Sequence, residues 1–521
     1  MRSDGTKRPL AYILAIMVAV LLTASGIWII MAGGSADPSD EFLTEFDELR
    51  SKELYAHSSW GLMVLDPESN TTLVDIRSGE MFVPGSTTKL FTSAAIMMAL
   101  GADHRFVTPV YATSMDENGV AGNVVLVASG DPNMGGRALE NGGINYTDED
   151  HSYALIQGGC ILVSEDPLAG IDSLARQIYE SGVRAVGDVV IDDSIFETVE
   201  MEEFVISPTI INDNLLDIMV RPGAVDGGAN ITVRPATDFF TIRNEVVTSD
   251  ATDITITASG RDITVRGQIA EGSGQVNLTH TVREPAAFAR ALLIESLERH
   301  EIDVGSDAMG ENPRSLIPSG YESAVKLAEI RSAPLSEEVK LTLKVSHNLH
   351  AETYLSLMAA SRGGSNSYEG MVVEREMLER LGIDLSAMCL SDGMGGATED
   401  RFTPSAAIQL LKAMMEKEEF EQFFGSLPVL GVDGSLAHSA ADGSPAIGKV
   451  HAKTGTRAVY NVLGDTGMAQ TKALAGYIDA ASGKRVVFAL FVNNVMVNDF
   501  DDIMALGNDV ALVTDMIYRH F

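Results

Sequence analysis

Cysteine is nearly absent from this chain: Cys160 and Cys389 are its only two. They are far apart, and although they could pair outside the cell, two cysteines make no disulfide framework. Neither has a second Cys or a His at metal-ligand spacing, so no zinc site and no cofactor is expected. Basic residues are also scarce, with 37 Lys and Arg against 73 Asp and Glu, a formal net charge of −36. Phosphate backbones demand a basic surface, which excludes nucleic acid as a partner. Docking on anionic lipid through a basic patch is excluded for the same reason. The acidity fits a soluble, self-repelling surface and, in a sharper form, adaptation to a salty medium. Lysine is missing altogether between Lys89 and Lys326, and no internal repeat is present.

One long hydrophobic run does occur. Arg2, Lys7 and Arg8 precede an uncharged apolar stretch from Leu10 to Gly33, longer than the roughly 20 residues that cross a bilayer. Basic residues before it, and Asp37, Asp40 and Glu41 after it, place residues 1–9 inside as a cytoplasmic tail and the remainder outside. A secretory signal has a shorter apolar core, about 7–15 residues. Residues 10–33 are therefore read as an uncleaved membrane anchor. Gly34-Ser35-Ala36 offers a cleavage site for the alternative, a secreted or periplasmic protein. Both readings export the domain and exclude most cytoplasmic, ATP-dependent functions. A chain of 521 residues with 45% hydrophobic content supports two or three packed domains.

Beyond 34–57, read as a linker and the start of the catalytic domain, Ser58–Leu65 and Thr71–Ile76 read as strands around the turn Asp66-Pro67-Glu68-Ser69-Asn70. Gly85-Ser86-Thr87-Thr88-Lys89 opens a helix that is apolar nearly all round to Leu100, the pattern of a helix buried at a domain centre. From 106 to 283 short apolar runs such as Val124–Ala128, Val189–Ile191, Ile231–Val233 and Ile254–Thr257 alternate with Gly, Asp, Asn and Pro, a mostly β texture. Helical texture returns at Pro285–Arg299, Glu337–Lys344, Ala351–Ala360 and Pro404–Glu416. Ala473–Ile478 and Arg485–Val492 read as a hairpin, and Met504–Phe521 as a closing helix. Strands at both ends with helices between predict an α+β domain whose antiparallel sheet joins the ends of the chain. The catalytic domain then comprises 58–105 and 284–521, split by a β-rich insertion at 106–283.

Three short motifs carry the chemistry. Ser86-Thr87-Thr88-Lys89 is an S-x-x-K element; at i and i+3 of a helix the amine lies beside the hydroxyl. Serine needs a base to become a nucleophile, and a lysine depressed by burial and a second cation supplies one. Ser346-His347-Asn348 is an S-x-N element in a loop between helices, with His347 read as an outward-facing spacer or, alternatively, a pH-dependent base. Lys453-Thr454-Gly455-Thr456 is a K-T-G element after a strand-like lead-in, where Gly455 lets a substrate backbone come close. Alone, each element is better explained as a cap or a turn. Together, in this order, they form a known constellation of penicillin-binding enzymes.

The interval from Ser86 to Ser346 is more than twice that from Ser346 to Lys453. This layout resembles the class C low-molecular-mass penicillin-binding proteins, the D-Ala-D-Ala carboxypeptidase/endopeptidase family. Further matching segments include Gly130-Asp131-Pro132, Asn212-Asp213-Asn214, Asn348-Leu349-His350-Ala351-Glu352 and Asp433-Gly434-Ser435-Leu436. The resemblance implies a penicillin-binding, serine β-lactamase-like transpeptidase fold with inserted accessory domains. It implies peptidoglycan peptides as substrates, β-lactams as covalent inhibitors, and Ser86, Lys89, Ser346, Asn348 and Lys453 as catalytic residues. Thr454, Gly455 and Thr456 would hold the substrate. Two departures stand out: Met394 replaces a serine of the family's D-G-S-G-L-S stretch, and Gly464–Lys472 reads as an extra loop. The deacylating glutamate motif of a β-lactamase is not found.

Overall fold

The strand Arg485–Val497 carries an almost unbroken apolar run, which suits a strand covered on both faces. Its side chains alternate between two cores: Val486, Phe488, Leu490 and Val492 enter one, and Val487, Ala489 and Phe491 the other. In the computed structural model it is the centre of a five-stranded antiparallel sheet. The order is Thr71–Ile76, Ser59–Asp66, Arg485–Val497, Thr466–Asp479, Val450–Asn461. Leu62 lies opposite Leu490, so the sheet joins the two ends of the chain as the α+β expectation required. The structure describes residues 38–154, 159–225, 227–441 and 443–521. The expected tail and anchor at 1–33 lie outside them; among the described residues no helix is long and apolar enough to cross a membrane.

One face of the sheet is covered by helices Pro38–Arg50 and Phe500–His520. Phe42, Phe46 and Leu49 recur at helical spacing and are buried there, with Phe46 edge-on to Trp60 at 5.4 Å. Within 34–57, expected to hold a linker and the start of the catalytic domain, Pro38–Arg50 is thus a packed helix. The closing helix starts four residues before Met504 because the Asp499 carboxylate caps it, accepting from the Asp502 N–H at 3.0 Å. The other face carries the buried helix Lys89–Leu100 with Leu335–Val345, Asn348–Ala360 and Pro404–Met414.

The insertion has a core of its own, with a wider boundary than expected. A four-stranded sheet orders Val325–Arg331, Val107–Ala112, Val124–Val127 and Val189–Asp192, and among the described residues three three-stranded sheets share its core. Helix Pro285–Arg299, assigned from sequence to the catalytic domain, buries Phe288, Leu292 and Leu293 in this second core. Strand Val325–Arg331 pairs with Val107–Ala112. The inserted unit therefore runs to Arg331, not Arg283, because the strand that closes its sheet arrives last. It also holds helix Ala169–Glu180, which the sequence reading missed although Ile171, Leu174, Ala175 and Ile178 show helical spacing. Phe196, Phe204, Ile206 and Ile210 cross back into the catalytic core, so the two units share packing. Cys160 and Cys389 are unpaired.

Candidate active site

Ser86 stands in a single 3₁₀ turn, Gly85–Thr88, that runs directly into helix Lys89–Leu100. Side chains at i and i+3 eclipse in a 3₁₀ turn, and Lys89 Nζ lies 2.9 Å from Ser86 Oγ. The same nitrogen contacts Asn348 Oδ1 at 2.8 Å and the Met394 carbonyl at 2.9 Å. Lys89 is fully buried. Burial is the largest influence on its pKa and pushes it down to about 7, against the pull of Asp392, Glu352 and Glu203. Of the two causes expected from the sequence, burial and a second cation, burial dominates.

Ser346 ends helix Leu335–Val345 in the left-handed region, φ 65°, and Asn348 begins the next helix. Lys453 Nζ donates to Ser346 Oγ at 2.8 Å and to the Thr454 carbonyl at 2.8 Å. Lys453 is also fully buried, and burial first, then Lys89, hold its pKa well below the ordinary lysine value. Ser435 Oγ and Thr454 Oγ1 are hydrogen-bonded at 2.8 Å. Thr456 is exposed on the edge strand Val450–Asn461, and Lys472 Nζ donates to its hydroxyl at 3.1 Å.

Three expectations change. Gly455 is buried, and a Cβ there would lie 2.2 Å from the Pro84 carbonyl; the glycine admits the protein's own nucleophile turn, not a substrate backbone. His347 does not face outward: it is 1% exposed, stacked on His350 with ring centroids 3.9 Å apart. The segment read as an extra loop is strand, paired from Asn461–Thr466 through Thr456–Lys472. The Met394 departure is harmless to Lys89, because the backbone carbonyl makes the contact.

These groups meet at a cleft of about 980 Å³ lined by Ser86, Ser346, Asn348, Thr454 and Thr456. The inserted unit supplies its other wall, including Asp148, Glu149, Tyr153, Glu202 and Glu203. Sequence reasoning missed these and Lys472, which tertiary register alone brings in. Among the described residues, Asp213 with His347 and His350, and Asp150 with His151 and Asp213, have metal-ligand spacing. Arg137 already bonds both aspartates, which opposes a cation there.

A serine with a buried lysine, an S-x-N turn and a K-T-G strand edge around one cleft define the class of penicillin-binding serine enzymes. Residues 44–511 match the model of the D-Ala-D-Ala carboxypeptidase 3 (S13) family, and the chain belongs to that family. It is 29% identical over 516 residues to a D-alanyl-D-alanine carboxypeptidase of Actinomadura sp., covering 91% of this chain and 86% of the relative. It is 23% identical over 480 residues to the D-alanyl-D-alanine carboxypeptidase DacB of Haemophilus influenzae, covering 87% and 88%. The crystal structure of penicillin binding protein 4 from Haemophilus influenzae shares the fold, with a TM-score of 0.68 at 19% identity, covering 91% of this chain and 99% of that one.

Proposed function

We propose that the protein is a serine D-Ala-D-Ala carboxypeptidase, with endopeptidase action on cross-bridges of the same chemistry, working outside the cytoplasm on peptidoglycan peptides. The observation that carries this is the Lys89 amine held between Ser86 Oγ and two carbonyl oxygens. As a neutral amine it gives its two N–H groups to Asn348 and Met394, which turns its lone pair toward the serine hydroxyl. Ser86 then attacks the carbonyl between two D-alanines while Lys89 takes the hydroxyl proton. Ser346 passes a proton to the leaving amine. Asn348 holds the lysine and the substrate backbone, and Lys453 with Thr454 and Thr456 receives the terminal carboxylate. Backbone N–H groups of Ser86 and Thr456 serve as the oxyanion hole. Water frees the acyl-enzyme, and β-lactams trap it. The family membership and the names of its carboxypeptidase relatives support this substrate class.

Fluorescent penicillin tests the reading. A slowly reversed covalent adduct on the wild-type chain and none on Ser86→Ala is the expected result. Rapid turnover would make the protein a β-lactamase, and no labelling would leave a non-catalytic wall-binding protein. The apolar run Leu10–Gly33 with its basic flank supports a membrane anchor. Its test is the N-terminal sequence of the cell-associated protein: residues before Leu10 retained for an anchor, a start near Asp37 for a cleaved signal.

A further inference from the structure

The Ser346-His347-Asn348 turn is gripped from the inserted unit. Tyr153 donates its O–H to the Ser346 carbonyl. Asp213, 3% exposed, accepts from His350 Nε2 at 2.7 Å through Oδ1, which also faces His347 Nε2 at 3.4 Å. His347 Nδ1 accepts the His350 backbone N–H at 3.4 Å, so the ring proton belongs on Nε2, aimed at Asp213. The ring between Ser346 and Asn348 thus faces a residue of the insertion at 3.4 Å, while the stacked His350 makes the hydrogen bond to it.

Asp213 is itself held fast. Its Oδ2 accepts from Arg137 at 2.6 Å and from His151 at 2.7 Å. His151 meets Asp217 Oδ1 at 2.7 Å through its other nitrogen, so both nitrogens donate and the ring is an imidazolium. Asn212, Asp213 and Asn214 adopt φ of 53°, 55° and 53°, three successive residues in the left-handed region. Such strain persists only where the surroundings over-determine it, and it clusters at functional sites. Ser346 is left-handed as well, a conformation a serine leaves unless something holds it.

We propose that Tyr153 and Asp213 are positioning residues for Ser346: they hold the 346–348 turn so that its hydroxyl stays between Lys453 and the departing amine. The inserted unit thereby completes the proton path. This rests on the acyl-transfer reading above. In acylation the Ser86 O–C bond forms, the substrate C–N bond breaks, and Ser86's proton passes to Lys89. The amine gains a proton from Ser346, whose oxygen regains one from the lysine pair. An amine leaves only when protonated, whereas a thiolate leaves without a proton.

The experiment compares an N-acyl-D-Ala-D-Ala peptide with a thioester carrying the same acyl group on thioglycolate, using the full chain and its Tyr153→Phe and Asp213→Asn variants. Tyr153→Phe should cut kcat/KM for the peptide about tenfold or more beyond any loss on the thioester, a part of the roughly 10²–10⁴ that a positioned general acid contributes. Equal losses on both substrates, or none, overturn the proposal. Should Asp213→Asn fail to fold, Tyr153→Phe, which deletes a single oxygen, decides alone. A wild-type chain inert to both substrates sinks the acyl-transfer reading, and the positioning claim with it.

Discussion

Lys89 has three oxygen neighbours and, when neutral, two N–H groups to give them. Its protonation state therefore decides whether Ser86 has a base. With its pKa near 7, penicillin acylation should rise with pH across an ionisation near pH 7 and level off above it. A rate flat from pH 5 to pH 9 would contradict that. Glu352 controls this limb from behind. It is buried, with its pKa pushed up to about 7 by burial and then by Asp392, and it accepts the Gly393 and Met394 N–H groups at 2.8 and 3.0 Å. Its ionised form favours the Lys89 ammonium, so Glu352→Gln should move the limb to lower pH by ~0.5–1 unit. The measurement is the pH profile of acylation for both proteins; an upward or absent shift would exclude the electrostatic link. Motif spacing made Lys89 legible in the sequence, but Glu352 was only part of a family-like segment, because its role needs the 392–397 loop folded onto it.

Among the elements, the strand Val450–Asn461 and the nucleophile turn depend on each other. The strand is long, on the sheet edge, and passes so close to Pro84 that only a glycine fits at 455. Gly455→Ala should destabilise the fold by about 1–3 kcal/mol, the usual cost of overpacking, and should slow acylation by moving Ser86. Urea denaturation beside labelling rates checks it: unchanged stability would mean the turn yields freely. The motif K-T-G was legible; the reason for its glycine was not, since the residue it admits lies at position 84. The hairpin's extension was misread as a loop because Gly464 and Asp465 mark a turn but do not show how far pairing continues on either side. The same limit placed the insertion's end at Arg283, where local texture changes, although strand Val325–Arg331 pairs back to Val107–Ala112.

The molecule as a whole carries a net charge of −36, and self-repulsion on that scale opposes the compact state. Added salt shortens the screening length from about 10 Å at 0.1 M to about 3 Å at 1 M. The melting temperature should therefore rise as sodium chloride is raised from 0.05 to 1 M. A flat or falling Tm would show that the acidic groups are already balanced by local partners. Composition, alternation and motif order were enough for the sequence by itself to determine an acidic α+β protein, its sheet joined from both chain ends, and the S-x-x-K, S-x-N and K-T-G residues. Each of those rests on neighbours within a few positions or on a pattern that repeats along the chain. Only the tertiary structure decided that His347 points inward to Asp213, that Tyr153 reaches the Ser346 carbonyl, and that Lys472 stands beside Thr456. These are contacts between residues made neighbours by sheet register and domain packing, and no local pattern in the chain encodes them.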